Sequence, residues 1–190
     1  MAADGLGAAF SGVTLTAAAL AVLVAADFLQ REGLEQPEYY VLILFATAGA
    51  LIMAAASDLV AVFIGLEVLS ISLYVLAAFA KSDPASREAG LKYLLLGAFA
   101  SAFLLYGVAM LYGATGTTQL VRMGLALRLA PTLANPLLWV GAGLVLVGLG
   151  FKLALVPFHG WAPDVYQGAP LPVTAFMSVV SKVAAFSALL

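Results

Sequence analysis

Three ionisable residues stand inside long apolar runs: Glu67 in LVAVFIGLEVLSISLYVLAAF, Lys152 in GAGLVLVGLGFKLALV and Lys182 in FMSVVSKVAAFSALL. An ionised group at the centre of a bilayer costs about 2.5–3.5 kcal/mol on insertion scales, so such residues persist where they face a protein interior or a hydrated path. A carboxyl and two amines in that setting support one kind of chemistry, the passing of protons. Glu67 shares a helix face with Ser70 and Tyr74, and Lys182 shares one with Thr174, Ser178 and Ser181. At 1.5 Å per residue Glu67 lies ~12 Å into its helix, and Lys182 lies ~15 Å beyond Pro172. Two helices thus each carry a thin polar stripe at mid-depth, the signature of an internal hydrated seam.

Lys152 reaches the same depth only if its helix is broken. Pro157 lacks an N–H and clashes with the carbonyl of residue 153, and Gly148 and Gly150 weaken the preceding turn. A discontinuous helix from about 138 to 166, interrupted between Lys152 and Pro157, puts Lys152 near its middle. Broken helices at the midplane free carbonyls and expose helix ends, which is where transporters build ion sites. Burial there favours a neutral amine and a nearby carboxylate favours the charged one. A lysine balanced between the two effects changes state when its partner moves. A static ion pair between Glu67 and Lys152 that only fixes helix packing is the plainer alternative.

Other groups are set against simpler roles. Lys92, one turn inside its span, pairs with Glu88 at i, i+4 or serves as a further relay group. His159 caps the interface near Trp161 or passes protons between the relay and water. Trp139, Trp161 and Tyr166 fit an aromatic belt. The glycines near Lys152 and the Gly97/Ser101 pair fit close helix packing.

The elements that must position these groups are membrane helices. The chain of 190 residues is 64% hydrophobic and 9% charged, against about 25% charged in soluble domains. The pattern predicts an all-α integral membrane bundle of six spans: about 9–29, 38–56, 59–80, 88–112, 138–166 (discontinuous) and 172–190. Ser57-Asp58 reads as a tight break that caps the third span, and Asn135-Pro136 opens the fifth. The loop from Gly113 to Pro136, with Arg122 and Arg128 and no clean apolar face, is placed at the membrane surface. Arg31, Lys81 and Arg87 on one side against Arg122 and Arg128 on the other tilt the His159 loop towards the cytoplasm.

Zero cysteines exclude thiolate metal sites and iron–sulfur ligation in this sequence, and one histidine excludes a histidine-rich metal site. No basic cluster marks nucleic-acid binding. The first run lacks the basic segment of a secretory signal and reads as a true span. The last run, AAFSALL, closes without a polar residue, so the sequence is expected to be one piece of a longer protein.

FKLALVPFHGWAPDVYQGAPLPVTAFMSVVSKVAAF, residues 151–186, closely resembles the broken-helix region of the N-subunit family of bacterial NADH-quinone oxidoreductase, respiratory complex I. DLVAVFIGLEVLSISLYVLAAF and EAGLKYLLLGAFASAFLLYGVAMLYGATGTT resemble the family's preceding two helices. The resemblance implies an antiporter-like proton channel of two inverted five-helix repeats, with the present sequence supplying one repeat plus one preceding helix. It implies a relay of Glu67, Lys152 and Lys182, to which the residue reading adds His159 as an entry group on the cytoplasmic side. It also implies a multi-pass protein of the bacterial inner membrane, whose partners are the other membrane-arm subunits and lipid. The chain itself would hold no cofactor and no metal. NAD, FMN, iron–sulfur clusters and quinone would belong to partner subunits. An Mrp-type cation/proton antiporter subunit and a purely structural membrane scaffold stand as alternatives.

Overall fold

The computed structural model describes residues 5–128 and 134–190. These form α1 (Gly5–Arg31), α2 (Pro37–Ala54), α3 (Leu59–Ala77), α4 (Pro84–Thr115), α5 (Leu120–Arg128), α6 (Pro136–Leu153), α7 (Ala162–Gly168) and α8 (Leu171–Leu189). Six of the described helices, all but α5 and α7, are long and apolar enough to cross a membrane. The architecture is an all-α membrane bundle.

Helix starts follow local chemistry. Asp58, Asp83 and Asn135 each accept a hydrogen bond from the backbone N–H two residues on, capping α3, α4 and α6. Pro37, Pro84 and Pro136 occupy first-turn positions, where the missing N–H costs nothing. Asp83-Pro84 therefore starts α4 a full turn earlier than the charged residues Arg87 and Glu88 suggested.

Two seams need glycine for close approach. A Cβ on Gly49 would meet the Leu69 backbone nitrogen at 2.5 Å and the Gly65 carbonyl at 2.6 Å, which locks α2 to α3. A Cβ on Gly107 would meet the Val145 nitrogen at 2.7 Å, and one on Gly148 would meet Leu104 at 2.6 Å. These contacts lock α4 to α6.

Further along α4 towards its start, Lys92 pairs with Asp164 of α7 and Ala85 lies against Gly168. The partner positions 145, 148, 164 and 168 thus meet α4 positions that fall steadily from 107 to 85. The α6 and α7 segments run antiparallel to α4 as one interrupted element. Lys152 lies in its middle, opposite the turn of α4 that bears Tyr93.

The interruption is a Schellman closure. The Leu155 N–H bonds the Gly150 carbonyl at 2.9 Å and the Ala154 N–H bonds the Phe151 carbonyl at 3.0 Å. Ala154 takes the left-handed position, φ 55°. The helix has already turned away before Pro157, so the proline follows the stop instead of forcing it.

The loop after α4 differs from the sequence expectation. Within it, Leu120–Arg128 is a helix whose Met123 packs with Leu59, Leu111 and Leu138. It is pinned to the α2–α3 break: Leu59 N–H bonds Thr118, Leu120 N–H bonds Ser57, and the Thr118 hydroxyl donates to Asp58 at 2.6 Å. Residues 129–133 of that loop lie outside the described residues.

A left-handed alanine costs about 1–2 kcal/mol that glycine does not incur. Ala154→Gly is therefore expected to raise the thermal stability of the purified full-length protein slightly, and Ala154→Val to lower it. A valine variant as stable as the glycine variant would contradict this cap.

Candidate proton-relay site

Lys152 is 2% exposed, among the most enclosed polar residues of the fold. Its ammonium sits 3.5 Å from the hydroxyls of both Tyr74 and Tyr93, and over both rings at 4.9 and 4.8 Å from their centroids. Tyr74 comes from α3 and Tyr93 from α4, so the lysine of α6 joins three helices. Cation–π contacts are worth about 0.5–2 kcal/mol each. Two of them, with two long hydrogen bonds, are of the size needed to hold an ammonium at this depth.

Lys182 of α8 binds the same place from the other side. Its ammonium donates to the Lys152 carbonyl at 2.9 Å, one of the carbonyls left open where α6 stops. A cation at a helix C-terminus also meets the negative end of the helix dipole. The Trp161 indole N–H takes the neighbouring Phe151 carbonyl at 2.9 Å. The open Lys152 carbonyl is thus taken by Lys182, and Trp161 adds a second donor to the Phe151 carbonyl; the Lys152 ammonium takes neither.

The two amines share one row of rings. Tyr74 meets Tyr93 edge-on at 4.7 Å, Tyr93 stacks on Trp161 at 4.6 Å, and Trp161 meets Tyr166 edge-on at 5.8 Å. Lys152 lies on the first two faces and Lys182 on the last two, at 5.1 Å from Trp161 and 5.6 Å from Tyr166.

Glu67 belongs to this interior without touching it. One carboxyl oxygen is buried with no protein hydrogen-bond partner, and among the described residues no ion pair joins Glu67 to either amine. The static Glu67–Lys152 pair considered from sequence is therefore absent. Glu67 lies two turns before Tyr74 on the same face of α3.

The remaining candidates lie apart. Lys92, at the surface of α4, bonds Glu88 at 2.7 Å and Asp164 at 2.6 Å, so it ties α7 to α4. His159 is exposed in the turn between α6 and α7. Trp139 is 63% exposed, as a belt residue should be, but Trp161 is 2% exposed and is no belt residue. Its burial follows from the stack and from its bond to Phe151. Tyr93 and Asp164 were missed from sequence. The W-x-P-D order of residues 161–164, on a segment rejoining after a break, was the available signal for Asp164.

With this geometry in view, comparison with known proteins is informative. Residues 56–190 match the family model "NADH:quinone oxidoreductase/Mrp antiporter, TM". The chain belongs to this family.

A protein of Herpetosiphon aurantiacus named NADH-quinone oxidoreductase subunit N 1 is 49% identical over 98% of this chain and 39% of its own length. Another, NADH-quinone oxidoreductase subunit N 2 of Roseiflexus castenholzii, is 52% identical over 93% of this chain and 36% of its own. In structure, a chain of respiratory complex I from Thermus thermophilus is similar with TM-score 0.81 and 43% identity, over 98% of this chain and 39% of that one. A chain of the Mrp complex from Dietzia sp. is similar with TM-score 0.74 and 31% identity, over 94% and 34%. The chain spans about two-fifths of the length of the curated relatives it matches.

If Trp161 holds the end of α6 by its N–H and supports Lys182 by its ring face, the two losses separate. Trp161→Phe is expected to lower thermal stability by about 1–2 kcal/mol, the cost of one buried hydrogen bond. Trp161→Leu should lower it by about 3 kcal/mol, through loss of packing and of the ring face. Equal losses in the two variants would remove the ring face from the account.

Proposed function

We propose that this chain forms part of a proton-translocating membrane-arm subunit of an NADH:quinone oxidoreductase. Lys152 Nζ is the central proton site, Glu67 is the carboxylate that answers it, and Lys182 is the next amine. The observation that carries this reading is the enclosure of the Lys152 ammonium among hydroxyls and rings, with no anion in contact and an unpartnered Glu67 carboxyl oxygen buried in the same bundle. A scaffold would gain nothing from such an arrangement. Replacing a buried charged group by an apolar one of similar size is often neutral or stabilising.

In this reading a proton leaving Lys152 relieves Lys182 of a like charge, and a proton arriving at Glu67 withdraws the attraction that holds Lys152 charged. Movement at any one group therefore biases the other two. His159, exposed beside the break, takes up protons from water in this reading. Lys92 is held by two carboxylates and serves better as a clamp on α7 than as a relay group. The subunit would work in the bacterial inner membrane beside the other membrane-arm subunits. Electron transfer, with NAD, FMN, iron–sulfur clusters and quinone, would take place in partner subunits.

The similarity to an Mrp-complex chain supports a second reading, a cation/proton antiporter subunit. The names of the relatives near 50% identity and the string HGWAPDVYQGAP favour the oxidoreductase. Sodium-dependent transport by the assembled complex would reverse that preference.

Lys152→Ala in the full-length subunit, assembled in its complex, is expected to reduce proton pumping at least tenfold while incorporation persists. Pumping at the parent rate with normal incorporation would leave the scaffold as the surviving description.

A further inference from the structure

The relay as described has a gap. Glu67 and Lys152 are not in contact, and the buried Glu67 oxygen has no donor. The group between them is Tyr74. Its hydroxyl is at 3.5 Å from the Lys152 ammonium, and it stands two turns from Glu67 on the same face of α3. Ser70, one turn from Tyr74 towards Glu67, donates its hydroxyl to the Leu66 carbonyl. Helical side chains lean towards the N-terminus, so Tyr74 reaches back along α3 towards Ser70 and Glu67. Tyr93, equally near Lys152, comes from α4 and not from the helix that bears Glu67.

A second observation bears on the same hydroxyl. A Cβ added to Gly97 of α4 would lie 2.0 Å from the Tyr74 hydroxyl oxygen and 2.6 Å from the ring carbon that bears it. No backbone atom is among the three nearest neighbours there, unlike at Gly49 or Gly107. Gly97 is thus not a helix-packing glycine, as the sequence suggested. It is a notch in α4 that receives one hydroxyl group.

We infer that the Tyr74 hydroxyl, seated in the Gly97 notch, is the bridge through which Glu67 and Lys152 exchange a proton. The inference rests on the reading of these residues as a proton relay. In the transfer, the Lys152 ammonium gives a proton to the Tyr74 oxygen as the tyrosine's own hydroxyl proton passes on. That proton goes to the Glu67 carboxylate, whose buried oxygen has no other protein donor. Lysine ends neutral, glutamate ends protonated, and Tyr74 is unchanged.

The test uses the full-length subunit in its assembled complex and measures protons moved at equal incorporation. Tyr74→Phe keeps the ring face for Lys152 and removes the hydroxyl, and should slow proton movement about tenfold. Gly97→Ala displaces the hydroxyl and should do the same. The Tyr74→Phe/Gly97→Ala pair should be no worse than the worse single variant, since both changes remove one group; independent packing defects would multiply. Tyr93→Phe, which removes the other hydroxyl beside Lys152, should slow proton movement clearly less than Tyr74→Phe does. Near-parent pumping in Tyr74→Phe, or equal losses in Tyr74→Phe and Tyr93→Phe, would overturn the bridge. If Lys152→Ala abolishes pumping while Tyr74→Phe does not, the relay stands without this step. If neither change matters, the relay itself falls.

Discussion

An ammonium enclosed by apolar helices and matched by no touching anion is the constraint around which this fold is arranged. Insertion of a lysine at such depth costs about 2.5–3.5 kcal/mol. The offset comes from polarizable ring faces and hydroxyls, which accept a cation yet do not fix its charge. A contacting carboxylate would have held the proton more firmly. On the proposed reading, holding Glu67 in the same interior but out of contact leaves the amine able to lose and regain its proton.

The helices serve that requirement. α6 has to stop beside Lys152, because only a helix end offers a carbonyl to Lys182. The stop is achieved with a left-handed alanine and a Schellman closure. α7 must then return to α4, and the Lys92–Asp164 pair holds it there. With α7 in place, Trp161 lies against Tyr93 and supplies the face on which Lys182 rests. The glycine seams between α2 and α3 and between α4 and α6 bring the helices close enough for these short side-chain contacts.

Much of this was legible in the sequence because charge is scarce. Glu67, Lys152 and Lys182 are conspicuous in apolar runs, and a proline shortly after Lys152 points to a break. The surroundings of the charges were not legible. Tyrosine and tryptophan in a membrane helix serve equally at the interface or inside, so Trp161 read as a belt residue and Tyr93 did not stand out. Gly97 looks like any packing glycine until the partner facing it is known. The amphipathic character of α5 was masked by its two arginines and its short length. The boundary of α4 was shifted because Arg87 and Glu88 sit within the helix, after the Asp83 cap.

The interior coupling of Glu67 and Lys152 is tested most directly by a double-mutant cycle on the thermal stability of the assembled complex, with Glu67→Gln, Lys152→Met and the pair. If each charge is tolerated because of the other, the double variant will be more stable than the sum of the single losses allows, by more than about 1 kcal/mol. Losses that add to within about 0.5 kcal/mol would contradict that coupling, and the relay built on it.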